Sequence, residues 1–116
     1  MSEYLILIYD AEAPYANASP ELWQEVMAAH QQFAEHVVEL GGDIRGSRAL
    51  QPTPTAVSIR GDDVSSRPFV DTAEAFCGYY LIEADNLDHA VRIAKHCPAR
   101  FGGVEVRPIM PTPVSV

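Results

Sequence analysis

The apolar positions of this chain change period several times, and each change predicts an element. Tyr4-Leu5-Ile6-Leu7-Ile8-Tyr9 is rich in β-branched residues and apolar at every position, and Asp10 to Pro14 closes it. Side chains of a strand alternate between two faces, so an unbroken apolar run predicts a central strand covered on both sides. From Pro20 to Leu40 the period lengthens to that of a helix. At about 100° per residue, Leu22, Trp23, Val26, Met27, Ala29, Phe33, Ala34, Val37 and Leu40 share one arc, and Gln24, Glu25, Gln31, Gln32, Glu35 and Glu39 fall outside it. Ser19-Pro20-Glu21 supplies a cap, a first-turn proline and a first-turn acid, and Gly41-Gly42 supplies the stop. His30 interrupts the arc near its middle, between Val26, Phe33 and Val37.

Weaker patterns follow. Asp43 to Leu50 holds Ile44 and Leu50 among arginines and small residues, a weak strand, and Gln51-Pro52-Thr53-Pro54 is a loop. Thr55 to Arg60 alternates as a half-exposed strand, and Gly61-Asp62-Asp63 reads as a hairpin turn into Val64-Ser65-Ser66. After a polar connection through Pro68, Phe76 to Ile82 is the densest aromatic run of the chain and again apolar on both faces. Strict alternation puts Phe76, Gly78, Tyr80 and Ile82 on one side and Cys77, Tyr79 and Leu81 on the other. Asp85 or Asn86 caps a second helix with Leu87, Ala90, Val91, Ala94 and Cys97 as its stripe, ended by Pro98; His36, His89 and His96 map to exposed helix faces. Gly103 to Arg107 is a last alternating strand.

This order predicts an α+β, ferredoxin-like sandwich: a mostly antiparallel sheet with both helices on one face. Each helix has a single apolar stripe, so neither covers the other sheet face. A second copy packed sheet against sheet covers it, which predicts a homodimer. Residues 1–110 form one domain and residues 111–116 a loosely held tail.

Charge and composition narrow the function. Lys and Arg number 8 against 16 Asp and Glu, a net charge of −8 that opposes nucleic acid as a partner. The N-terminus has no leader-like segment and no apolar run approaches the ~20 residues of a membrane span, so a cytoplasmic protein without a membrane partner is expected. Cys77 and Cys97 sit in apolar patterns without CxxC spacing and read as reduced, buried thiols. No HExxH, cysteine cluster or glycine-rich phosphate loop occurs, so neither a metal nor a cofactor is expected.

The segments Tyr4-Leu-Ile-Leu-Ile-Tyr-Asp10, Met27-Ala-Ala-His30-Gln-Gln-Phe33, Leu50-Gln-Pro-Thr-Pro-Thr-Ala-Val57, Pro68 to Glu74 and Gly78 to Ile82 resemble the YCII-related proteins, and within them the DGPF-domain branch. Ala94-Lys-His-Cys-Pro98 and Val104-Glu-Val-Arg-Pro108 extend the likeness over nearly the whole chain. The resemblance implies a dimeric α+β barrel. It also implies a site built on a His–Asp pair, and His30 matches that histidine. The aspartate of compact relatives precedes a proline near the end of the second helix, where this chain has Cys97. The name-giving Asp-Gly-Pro-Phe is Ser66-Arg67-Pro68-Phe69 here, and the following Ala-Glu-Thr-Lys-Glu is Val70-Asp71-Thr72-Ala73-Glu74. A related protein resembles a lyase that removes chloride from a chlorinated aromatic intermediate.

His30 is the leading chemical candidate, because an imidazole in an apolar arc needs partners and titrates near neutrality. It reads either as a structural histidine or as a general acid or base. Asp10, Asp71 and Glu74 are the acids able to orient it, and Asp71 is preferred as the catalytic partner because it holds the family's acidic motif position. Tyr9, Tyr79 and Tyr80 are candidate phenols. Tyr9, Asp10, Arg67, Phe69, Glu74 and Tyr79 complete the expected substrate-binding set. Two functions are consistent with these residues. One is a cofactor-independent lyase or isomerase acting on a small organic molecule in a cleft between helix and sheet. The other is a non-catalytic dimer that presents the same cleft to a small ligand or regulatory partner.

Overall fold

The computed structural model describes residues 1–111. Among these residues, six strands and two α-helices follow one another: β1 (Ser2–Ala11), α1 (Pro20–Glu39), β2 (Asp43–Ala49), β3 (Ser58–Arg60), β4 (Asp63–Ser65), β5 (Glu74–Ala84), α2 (Leu87–Ala94) and β6 (Gly102–Pro108). Of the expected loose tail at 111–116, residues 112–116 lie outside the described residues. Strands order as β2-β5-β1-β6, every neighbouring pair antiparallel, and β3 and β4 form a separate hairpin. This is the ferredoxin-like arrangement expected from the element order. The two apolar strands, β1 and β5, are the inner pair, and the half-polar β2 and β6 are the edges. No helix among the described residues is long and apolar enough to cross a membrane.

Helix α1 starts and stops as its end residues dictate. The Leu22 N–H donates to the Ser19 hydroxyl at 3.2 Å, with Pro20 in the first turn. At the other end Gly41 takes φ +82°, and the N–H groups of Gly41 and Gly42 donate to the Val38 and Val37 carbonyls. This closure needs a left-handed residue at position 41, which glycine adopts without strain. At Gly42 an added Cβ would fall 2.6 Å from Ile93 Cδ1, so the turn also brings α1 close under α2.

Both helices cover the same sheet face. Tyr4, Ile6, Ile82 and Ala84 from the strands meet Phe33 and Val37 of α1 and Ala90, Ile93 and Ala94 of α2 in one core. The apolar arc of α1 runs from Leu22 to Leu40 in sequence, broken only at His30, yet only Phe33 and Val37 in the helix are buried. Trp23, Val26, Ala29 and His30, in the N-terminal half, border a cavity instead, and Met27 is 70% exposed.

Three expectations are corrected. In β5 the pairing with β1 jumps from Ile8–Gly78 to Tyr9–Phe76, leaving Cys77 as an extra residue. A bulge of this kind resets the alternation. Phe76 therefore joins Tyr79 and Leu81 on the outer face, its ring 5.7 Å from Tyr9, rather than Tyr80 and Ile82 on the helix face. Second, α2 is rotated from its expected setting: Leu87 and Val91 are exposed, and the buried residues are His89, Ala90, Ile93 and Ala94. Third, the strand expected from Thr55 begins at Ser58, after a short helical turn over Thr53–Thr55.

The rotation of α2 makes His89 a buried clasp between the helices. The Asp85 N–H donates to His89 Nδ1 at 2.9 Å, so Nε2 carries the proton and donates to the Leu40 carbonyl at 2.6 Å. His89→Ala leaves both backbone groups short of a partner and should cost about 1–3 kcal/mol. Chemical denaturation, read as a lower midpoint at unchanged slope, measures that loss.

Candidate functional site

The space left where α1 parts from the sheet is a cavity of about 810 Å³. That lies within the roughly 300–1,000 Å³ of sites for small organic molecules. Its floor is the helix face of β1 and β5 at Ile8, Gly78 and Tyr80. The first half of α1 forms one wall, and the end of β2 with the Leu50–Pro54 segment forms another. Most of this lining is hydrocarbon or aromatic ring.

His30 and Tyr80 meet at this floor. His30 Nδ1 lies 2.7 Å from the Tyr80 hydroxyl, and the rings stack at 29° with centroids 5.8 Å apart. Phe33 backs Tyr80 at 4.7 Å between centroids and holds the phenol in place. Burial lowers the pKa of His30 from its usual 6.5. Burial, with a smaller contribution from Cys97, pushes Tyr80 up to about 12. At neutral pH the pair is a neutral imidazole against a neutral phenol, sharing one proton along a short contact. Either Tyr80 donates to Nδ1, or Nδ1–H donates to Tyr80 and leaves Nε2 as a free base. Nε2 has no protein partner among the described residues, and no buried polar side-chain atom among them is orphaned.

The acids bordering the cavity are already engaged. Asp10, 8% exposed, accepts the Tyr15 hydroxyl at 2.8 Å and the Phe101 N–H at 2.7 Å. Burial and that bond to Asp10 raise Tyr15 to about 12, which keeps its phenol protonated as the donor. The Tyr15 ring stands 5.6 Å from Trp23 and 5.4 Å from Phe101, so Asp10 anchors an aromatic cluster at the cavity rim. The Glu12 carboxylate takes the Thr53 N–H at 2.8 Å and hydroxyl at 2.5 Å, tying the Leu50–Pro54 wall to the end of β1. Glu25 pairs with Arg100 at 3.0 Å. Burial raises both thiols, Cys97 to about 12, so they stay protonated at neutral pH and are poor nucleophiles.

Of the residues singled out in the sequence, His30, Asp10 and the candidate phenol Tyr80 come to this cavity. Tyr79 borders it through β5, with its ring turned to the opposite sheet face beside Leu7. Tyr9 lies on that outer face as well, against Phe76. Arg67, Phe69, Asp71 and Glu74 are exposed and lie outside the cavity lining. Phe69 sits under the Arg60 guanidinium at 4.4 Å, and the Arg67 carbonyl accepts the Ser58 hydroxyl. The group that meets His30 is Tyr80, not Asp71. Sequence alternation sets Tyr80 on the face of Ile82, as in the structure, but only the place where α1 parts from the sheet brings it against His30. The contribution of Tyr15, Trp23 and Arg48 to the cavity was likewise invisible in the linear pattern.

Imidazole NMR tests the electrostatics. His30 should titrate below 6.5 in the native protein, and Tyr80→Phe should alter its ring-nitrogen shifts without exposing the core. A His30 titration above 6.5 would contradict the burial argument.

Comparison with known proteins agrees with this geometry at the level of the family. The YCII-related domain model matches residues 2–113. An uncharacterized protein of Rhizobium meliloti (strain 1021) is 31% identical over 113 residues, covering 91% of this chain and 90% of that relative. With almost the whole of its length matched by that domain, the chain belongs to the YCII-related family.

Proposed function

We propose that the cavity catalyses cofactor-independent proton transfer on a small carbonyl compound, as a lyase or isomerase, with His30 and Tyr80 as the working pair. The observation that carries this reading is the 2.7 Å contact between His30 Nδ1 and the Tyr80 hydroxyl on the floor of an apolar cavity. In the base-ready tautomer, Nδ1–H donates to Tyr80 and the phenol proton is free to bond a substrate carbonyl. Nε2 then removes a proton from the carbon beside that carbonyl. Nδ1 passes its proton to the Tyr80 oxygen as Tyr80 passes its own to the developing enolate. The product is an enol, and the imidazole is left as its other tautomer.

This relay builds no net charge on the protein, which matters where hydrocarbon walls penalise ions. Reprotonation at a second carbon through the reversed relay gives an isomerase. Expulsion of a leaving group from the enol's β-carbon gives a lyase. General acid–base assistance of this kind is worth about 10²–10⁴-fold.

The same reading includes a homodimer formed through the outer sheet face. Leu5, Leu7, Tyr9, Phe76, Tyr79 and Leu81 share that face, while the helices lie on the other. The molecule is a slab of 42 × 40 × 18 Å, and its broad face has room for the roughly 800 Å² per partner that specific interfaces bury. Ile59 and Val64, paired across the β3–β4 hairpin, add further exposed apolar surface.

Deuterium uptake from D2O into small enolisable ketones and keto acids, followed by NMR, tests the chemistry. Wild type should accelerate exchange, and His30→Asn and Tyr80→Phe should each lose about 10²-fold with unchanged circular dichroism. Exchange indifferent to both substitutions, or absent in wild type, refutes it in favour of a non-catalytic ligand-binding role. Sedimentation at micromolar concentration tests the assembly: wild type should run as a dimer and Leu7→Asp as a monomer.

A further inference from the structure

Two carboxylates at the cavity have their hydrogen bonds met and their charges left over. Asp10, 8% exposed, shares the buried helix face of β1 with Ile8 and accepts from the Tyr15 hydroxyl and the Phe101 N–H. Glu12 accepts both donors of Thr53. All these donors are neutral, and no lysine or arginine lies within ion-pair distance of either acid among the described residues. Glu25 and Arg100 neutralise each other. Arg48 pairs with Tyr79 across β2 and β5, so its side chain starts on the outer sheet face, and it makes no ion pair with either acid. Buried charges are ordinarily paired, and Asp10 lacks the pair. Two negative charges thus border an apolar cavity with no free cation set against them, and low-dielectric walls concentrate such a field.

We infer that the cavity takes a small carbonyl compound that carries a protonated amine. The ammonium lies at the Asp10–Glu12 end, beside the Tyr15 and Trp23 rings, which line the same cavity with centroids 5.6 Å apart. Aromatic faces attract a cation, most of all away from water, so the rings and the acids favour the same charge. The carbonyl lies at Tyr80. Strand register sets the spacing: Tyr80 is opposite Ile6, and Asp10 is four residues along β1 from Ile6, roughly 13 Å at ~3.3 Å per residue. The ligand therefore holds its amine and its carbonyl several bonds apart. A metal cation fits less well, because no three His, Cys, Asp or Glu side chains converge among the described residues. Only the place of the carbonyl rests on the proton-transfer reading. The preference for a cation stands on the charges and the rings.

Three acetophenones serve as probes, alike in ring and carbonyl and different in the end of a short para arm. Para-(aminoethyl)acetophenone ends in an ammonium, para-propylacetophenone in a methyl group and para-(carboxyethyl)acetophenone in a carboxylate. By titration calorimetry, wild type should bind the ammonium at least about tenfold more tightly than the methyl compound, and the carboxylate more weakly than either. Glu12→Gln and Asp10→Asn keep the side-chain shape and remove the charge. Each should lower the ammonium preference several-fold while the methyl compound binds as in wild type, which reports an intact cavity. Asp10 also fixes the rim, so if Asp10→Asn does not fold, Glu12→Gln alone decides. Equal affinities for ammonium and methyl, tighter binding of the carboxylate, a preference unmoved by Glu12→Gln, or no binding of the ammonium at millimolar concentration overturns the inference. Failure of the catalytic reading looks different: the ammonium compound then binds wild type and His30→Asn alike, depends on Glu12, and exchanges no proton beside its carbonyl in either protein.

Discussion

Strand β5 has to satisfy a neighbour on each edge and a layer on each face, and the bulge at Cys77 lets one strand do both. C-terminal to the bulge, Tyr80, Ile82 and Ala84 face the helices, the last two within the dense core and Tyr80 at its margin. N-terminal to it, the alternation is reset, so Phe76 joins the outer face and Ala75 comes under the end of β1 opposite Asp10. Without the extra residue, Phe76 would project into the space that the cavity occupies. The cavity floor, the outer apolar face and the anchoring of Asp10 therefore depend on one irregularity in one strand.

That placement sets the electrostatics of the site. Tyr80 is held between Phe33 and His30 at the boundary between core and cavity, where burial disfavours both phenolate and imidazolium. Two neutral groups that exchange protons suit such a place better than an ion pair, which would carry a desolvation cost. The carboxylates nearby serve the frame instead. Asp10 fixes the Tyr15–Trp23–Phe101 rim, and Glu12 fixes the Leu50–Pro54 wall.

Much of the fold was legible in the sequence, because its signals were local and redundant. Ser19-Pro20 and Gly41-Gly42 marked the ends of α1 within a residue, and the two unbroken apolar runs became the inner strands. What was not legible depends on three-dimensional offsets. Alternation cannot show an inserted residue, so the sequence pattern puts Phe76 on the helix face rather than the outer one. Leu87 and Val91 outweighed His89 in a hydrophobic stripe, although His89 is buried by two backbone bonds that no periodicity records. His30 stood out because it broke an apolar arc. Its partner did not: alternation sets Tyr80 on the helix face, but only where α1 leaves the sheet decides that it meets His30.

The pH profile of wild-type proton exchange tests the neutral relay most directly. A depressed His30 keeps its base form at neutral pH and loses it only as the pH falls below 6.5, and Tyr80 keeps its proton until about 12. The account predicts a rate that is level from neutrality into the mildly alkaline range and declines only on the acid side, below 6.5. A rate that climbs through pH 7 to 9, or that falls over that range, would contradict it, because the working groups would then be ionising where the cavity requires them to stay neutral.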